Sequence, residues 1–421
     1  MVSPRLHICF VSRSLPLAKT SNVHQSLWPV TDRLSEMGHK VTVISHKTAS
    51  GQSEFEKGDT TVYFISNKEQ FSSIQDFSKL AEKKIIDIHN ESPIDHIHSL
   101  DTPLKNFKKL WSKAKKRQRP RLSYGVQSTS IEQVFTLFGS VKPTTRGLIM
   151  STFVYPFLFL KNFFFKDYFT LKQAQAVFVS SPKQALALER YYLYPPENIF
   201  QVPLDSFMIS LMLRSKSSKL LETLNLTPDI PIVATASEMN RPDDLYFMLD
   251  VFEKIALIYP KAKFLIVGDG PHFKEIEKRV LLKALDSRVI MTKNVPTNTL
   301  SDFIGLSDIF INLNPSASGL GRTLVEAMAQ KKVIIGSELS HITTIIENGV
   351  NGYLIRPGET QRCTKLIDQL FSNPNKRAQL GEKAREDVLS IFDQDLLAKK
   401  ALEAFEKVQR RKPLFRQLFF N

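Results

Sequence analysis

Cysteine is nearly absent from this sequence: Cys9 and Cys363 are the two that occur in 421 residues. Two thiols so far apart make neither a disulfide framework nor a metal-ligand spacing, so a reducing cytosol is the expected compartment, with no metal or resident cofactor. Long apolar runs are missing too. The longest uncharged stretch, residues 147–160, covers 14 residues and is interrupted by Pro156, whereas a spanning helix needs about 20. It can lie on a bilayer but hardly cross one. The opening MVSPRLHICFVSRSLP has neither the apolar core nor the cleavage site of a signal peptide, so export is not expected. Acid is missing from residues 105–121, KNFKKLWSKAKKRQRPR, which hold nine basic residues.

What is present is positive charge, net +15, placed mainly in the first half. On a helix Phe107, Leu110, Trp111 and Ala114 fall at i, i+3, i+4 and i+7, an apolar stripe flanked by lysines. This is the pattern of an interfacial helix drawn to anionic lipid, with Lys108, Lys109, Trp111, Lys115, Lys116 and Arg117 as its membrane-contacting residues. A stripe packed on the protein's own sheet is the alternative. The closing KVQRRKPLFRQLFFN repeats the combination of cations and bulky apolar residues, and no nucleic-acid motif accompanies it. The expected partner surface is the inner face of the cell membrane rather than nucleic acid.

Short β-rich runs alternate with helical patterns, from LHICFVS and KVTVIS through DHIHSL, RLSYGV, AVFVSS and IFQVP. The rhythm pauses at residues 204–229, restarts at IPIVATAS, and gives way to helix after Glu359. The fold class is α/β: an N-terminal Rossmann-like domain over 1–203, a linker over 204–229, a second Rossmann-like domain over 230–390 and a helical tail over 391–421. Open sheets of this kind bind ligands at their carboxyl ends.

Chemistry concentrates in SGLGRTLVEAMAQ, residues 318–330. Its glycines permit close backbone approach, and the helix they feed points free amides and Arg322 at one mouth, which suits a diphosphate. The plain alternative is a glycine-rich turn with Arg322 and Glu326 as an i, i+4 pair. GDGP, residues 268–271, reads at least as well as a tight structural turn.

The order LIVGDGP, SDIFINLNPS, SGLGRTLVEAMAQ, VIIGS, IIENGVNGYLIRPGE resembles the carboxyl-terminal domain of the retaining, sugar-nucleotide-dependent family 4 glycosyltransferases. HICFVS…LSEMGHKVTVIS looks like their first strand, helix and second strand, so the resemblance runs to about residue 390. It implies a GT-B architecture, with two Rossmann-like doubly wound domains facing a central crevice, donor in the C-terminal half, acceptor on the N-terminal half, and no metal. It implies a tail that crosses back to the N-domain. The donor-binding residues it implies are Ser318, Gly319, Leu320, Gly321, Arg322, Thr323 and Glu326, with Lys293 and Asn294 near the base, and Arg241. The acceptor side would hold Gln127, His98, Lys19 and Asn22.

The sequence departs from that pattern. Glu326 matches the family's ribose-binding glutamate, but Ser318 replaces the first, sugar-binding glutamate. Glu238 and Asp243 stand where an arginine and a lysine neutralise the leaving diphosphate, and Gln127 stands for a histidine. Two functions remain open. One is a hexosyltransferase acting with retention on a lipid-linked or cell-envelope saccharide. The other is a catalytically silent GT-B protein that binds a glycan, lipid or protein.

Overall fold

The computed structural model describes residues 5–13, 29–45, 53–65, 74–112, 119–126, 129–130, 157, 163–203, 213, 216–240, 242–313, 321–338, 341–356 and 358–410. The chain divides into two compact units, Met1–Met208 with Phe392–Asn421 (unit 1) and Ile209–Ile391 (unit 2).

Unit 1 is built on an eight-stranded sheet. In chain order its strands are β1 (His7–Val11), β2 (Lys40–Ser45), β3 (Glu54–Lys57), β4 (Thr60–Phe64), β5 (His96–Ser99), β6 (Arg121–Val126), β7 (Ala176–Val179) and β8 (Ile199–Gln201). Their spatial order is β3-β4-β2-β1-β5-β6-β7-β8, and every pairing is parallel except β3 with β4. The interior strands HICFV and AVFV, neither of them at a sheet edge, are buried throughout, as parallel strands covered on both faces must be. The sequence reading did not single out the β3–β4 hairpin.

The helix Gln394–Arg410 belongs to unit 1. Its Phe405 is fully buried, with its ring 4.4 Å from that of His96 and 5.4 Å from that of Phe178. Gln409 donates to the Asp95 carbonyl at 2.6 Å, and Arg33 holds the Asp395 carboxylate.

The basic stretch after β5 requires a correction. The helix there spans only Phe107–Leu110, and Phe107 and Trp111 are buried in one cluster with Phe77, Ile97 and Leu122. Leu104 N–H donates to Tyr124 Oη at 2.9 Å, and the Asn106 backbone and side chain both donate to the Glu82 carboxylate at 2.8 and 2.9 Å. These bonds turn Phe107 and Trp111 inward, while Leu110 stays exposed. Trp111 is therefore a core residue and not a membrane contact. Lys108 and Lys109 are exposed, while Lys115, Lys116 and Arg117 lie outside the described residues.

Unit 2 has six parallel strands: β9 (Ile232–Ala236), β10 (Lys263–Val267), β11 (Val289–Thr292), β12 (Ile309–Asn312), β13 (Val333–Ser337) and β14 (Gly352–Ile355). Their order is β11-β10-β9-β12-β13-β14, so the strand sequence reverses between β9 and β12. In unit 1 the reversal falls between β1 and β5. Part of the stretch expected as a linker is the short helix Ser218–Thr223 of unit 2, whose neighbour Lys216 bonds Asp308 at the foot of β12.

Candidate functional site

In an open parallel sheet the crevice beside the reversal point is the natural ligand site, because the loops leaving the two flanking strands part there. In unit 2 those loops follow β9 and β12. The first carries Glu238 and leads to the helix Asp243–Ile258; the second leads to Gly321 and the helix Arg322–Ala329. Ser318, Gly319, Leu320 and Arg241 lie outside the described residues.

Gly321 caps that second helix with φ +66° and ψ 124°, and a Cβ there would meet nothing within 4 Å. Backbone conformation, not space, requires glycine. The amides that follow have no partner within the helix, so its N-terminus is electropositive and of the kind that binds anions. One turn in, Glu326 is fully buried. Its Oε1 accepts from Arg322 Nε and its Oε2 from Ser301 Oγ, both at 2.7 Å. A buried carboxylate needs this compensation. Arg322 is 31% exposed on its side chain and bonds through Nε, so its terminal nitrogens remain for an incoming anion, no described residue taking them.

Ser301 escaped the sequence reading. It sits in the helix Thr297–Leu306, and its backbone carbonyl accepts from Gln330 Nε2 at 3.0 Å, locking the two helices together. No short-range motif marks it. Thr323 is half-buried beside Arg322, so Gly321, Arg322, Thr323 and Glu326 do come together. Lys293 and Asn294 are exposed on the same carboxyl edge after β11, two strands away from β9.

The GDGP turn has a structural explanation. A Cβ on Gly268 would lie 2.0 Å from the Ser237 carbonyl oxygen, and one on Gly270 would lie 1.9 Å from that of Glu238. These glycines let the loops after β9 and β10 touch backbone to backbone. Glu238 is exposed and accepts from Asn240 Nδ2 at 3.0 Å. Asp243 and Asp244 open the helix Asp243–Ile258, where negative charge complements the helix dipole. Asp243 thus serves its own helix, whatever it does to a ligand.

In unit 1 the structure corrects the placement of His98 on an acceptor surface. Residues alternate along β5, so His96 and His98 share the face that Phe405 covers, and both are fully buried. His96 Nε2 and His98 Nδ1 share the Ser123 hydroxyl at 2.8 and 2.7 Å. Burial pushes His98 down to about 3 and His96 well below its ordinary value, so both rings are neutral. Gln127, Lys19 and Asn22 lie outside the described residues.

A cavity of about 180 Å³ opens at the carboxyl edge of β5 and β6, with Asp101, Thr102, Thr129 and Asp167 among its polar walls. Asp101 is fixed by Arg13 N–H at 2.8 Å and Ser12 Oγ at 3.2 Å, and Asp167 by Ser130 N–H and Tyr192 O–H, each at 2.6 Å. Asp101 and Asp167 are far apart in sequence and were not anticipated. Among the described residues no group of three or more His, Cys, Asp or Glu side chains is placed to hold a metal ion.

Two parallel-sheet α/β units with C-terminal helices define the GT-B architecture. Known proteins place the chain further. Residues 221–387, which lie within unit 2, match the family described as Glycosyl transferases group 1. The N-acetyl-alpha-D-glucosaminyl L-malate synthase of Bacillus anthracis is 25% identical over 218 residues, 52% of this chain and 56% of that protein. The lipopolysaccharide 1,2-N-acetylglucosaminetransferase of Salmonella typhimurium is 22% identical over 204 residues, 47% of this chain and 53% of that protein. The chain thus spans about half the length of these curated relatives. Among solved structures, a glycosyltransferase from Rickettsia africae superposes with TM-score 0.65 at 17% identity, covering 97% of this chain and 100% of that one. HepE from Anabaena, crystallised with UDP and glucose, gives TM-score 0.66 at 18% identity, covering 96% and 100%.

Proposed function

We propose that this protein is a hexosyltransferase that takes a sugar from a nucleotide-sugar donor held at the reversal point of unit 2. The acceptor is a lipid-linked or cell-envelope saccharide received by unit 1, and the anomeric configuration is retained, as in the family 4 enzymes that the motifs resemble. The observation that carries the reading is the buried Glu326, clamped by Arg322 and Ser301 one turn inside the N-terminus of the Arg322–Ala329 helix. Glu326 accepts from the ribose hydroxyls, while the helix amides and Arg322 meet the diphosphate charge without a metal. The matched relatives are named as transferases or synthases, which favours an enzyme over the silent scaffold.

Calorimetric titration of the folded protein with UDP, GDP and their sugar conjugates tests the donor site. Saturable binding that disappears in Glu326→Ala is the expected result; no heat with any nucleotide would overturn it. Retention is read from the anomeric NMR signal of the product. For location, we propose a cytoplasmic protein held at the inner face of the cell membrane by charge, resting on exposed Lys108 and Lys109 and the basic run that follows them, with no inserted tryptophan. No described helix is long and apolar enough to cross a membrane. Sedimentation with anionic vesicles that weakens as salt rises is expected.

A further inference from the structure

We propose that the cavity at the carboxyl edge of the unit 1 sheet is a subsite for one neutral, hydroxyl-rich pyranose ring, and that it rejects acidic or phosphorylated sugars. This rests on the reading that the protein transfers a sugar to a saccharide, and it names the acceptor chemistry. The volume, about 180 Å³, is below the roughly 300–1,000 Å³ of sites for drug-sized ligands, so it suits a single ring rather than an extended chain. The walls combine acceptors for hydroxyl protons, Asp101 and Asp167, with apolar surface from Tyr124 and Leu171 for the C–H faces of a sugar. Among the described residues no lysine or arginine lines it. An ionised carboxylate only accepts, so the ligand must donate, and an anionic ligand meets repulsion that no cation among the described lining residues offsets.

The carboxylates are preorganised. Asp101 is held through both oxygens by Ser12, Arg13 and Thr102. Asp167 uses Oδ2 for Ser130 N–H and Tyr192 O–H, and its Oδ1 accepts nothing from the described residues. The floor is Gly125. A Cβ there would stand 3.4 Å from Leu100 Cα and 3.6 Å from His98 Nε2. That nitrogen, on a fully buried side chain, has no hydrogen-bond partner among the described residues. The bare glycine keeps the floor low over that buried nitrogen.

The test is saturation-transfer NMR on the full chain with the methyl pyranosides of glucose, galactose and mannose, and with glucuronate and glucose 6-phosphate as anionic probes. UDP binding is measured on the same samples. We expect signal from at least one neutral pyranoside and none from the anions. That signal should fall about fivefold or more in Asp167→Asn, which keeps the Ser130 and Tyr192 bonds, and in Gly125→Ala, whose methyl meets only ordinary contacts. UDP binding should not change in either variant. Equal binding of anionic sugars, no pyranoside binding, or pyranoside signal unmoved in both variants, each with UDP still bound, overturns the inference alone. Loss of UDP binding from the unaltered protein removes the functional reading beneath it.

Discussion

The carboxyl edges of the two sheets follow one topological rule and present opposite chemistry. In unit 2 the carboxylate of Glu326 is fully buried and neutralised by Arg322, one turn inside the N-terminus of the Arg322–Ala329 helix. In unit 1 the acidic groups Asp101 and Asp167 line an open cavity with no cation among its described lining residues. A buried, paired carboxylate is fixed in place and leaves the electropositive helix end to set the local field. An open pair sets the field itself. The first edge therefore suits a phosphate-bearing ligand and the second a neutral donor of hydroxyl protons.

If the two edges work independently, damage to one leaves the other intact. The largest effect is expected for Phe405→Ala, which empties the space against His96, His98, Phe10 and Phe178. Differential scanning calorimetry should show unit 1 destabilised by about 3–5 kcal/mol, while UDP binding by unit 2 persists at temperatures where both units are folded. Loss of UDP binding there would break the comparison. Next, Glu326→Ala should weaken UDP about 10- to 100-fold by titration, the range for charge-assisted bonds of roughly 1.5–3 kcal/mol, with pyranoside binding unchanged. Arg322→Gln should weaken UDP roughly tenfold and uridine less, because the terminal nitrogens meet phosphate whereas loss of the Nε bond to Glu326 affects both.

The smallest effect concerns pH. His96 and His98 are held neutral by burial, with folded values far below the ordinary one. The unfolded chain takes up protons first, near pH 6.5, so the stability of unit 1 is complete above about 6.5 and declines as pH falls from there toward about 3. By about pH 6 the loss is under about 1 kcal/mol per histidine. Thermal unfolding across that range should show a shallower decline in His98→Leu than in the unaltered protein.

Much of this was legible in the sequence. Short apolar runs such as KFLIV and VIIGS, alternating with helical patterns, read as strands of a covered parallel sheet, and Gly321 with Arg322 and Glu326 marks the turn and its helix by spacing. Other features were not, for definite reasons. The stripe Phe107, Leu110, Trp111 has the same period whether it meets lipid or its own core, and the deciding bonds come from Tyr124 and Glu82, distant in sequence. His98 lies near the end of a strand, but its surroundings depend on which face the C-terminal helix covers. Ser301 reaches Glu326 only through the packing of two helices, and Asp101 and Asp167 meet only through the sheet.

The most direct measurement is hydrogen–deuterium exchange of the full chain with and without saturating UDP. Slowed exchange is expected in the peptide carrying residues 321–326, at the N-terminus of the Arg322–Ala329 helix, with residues 99–103 and 124–126 of unit 1 unchanged. UDP that binds without protecting residues 321–326 would contradict the assignment of the donor site to that edge.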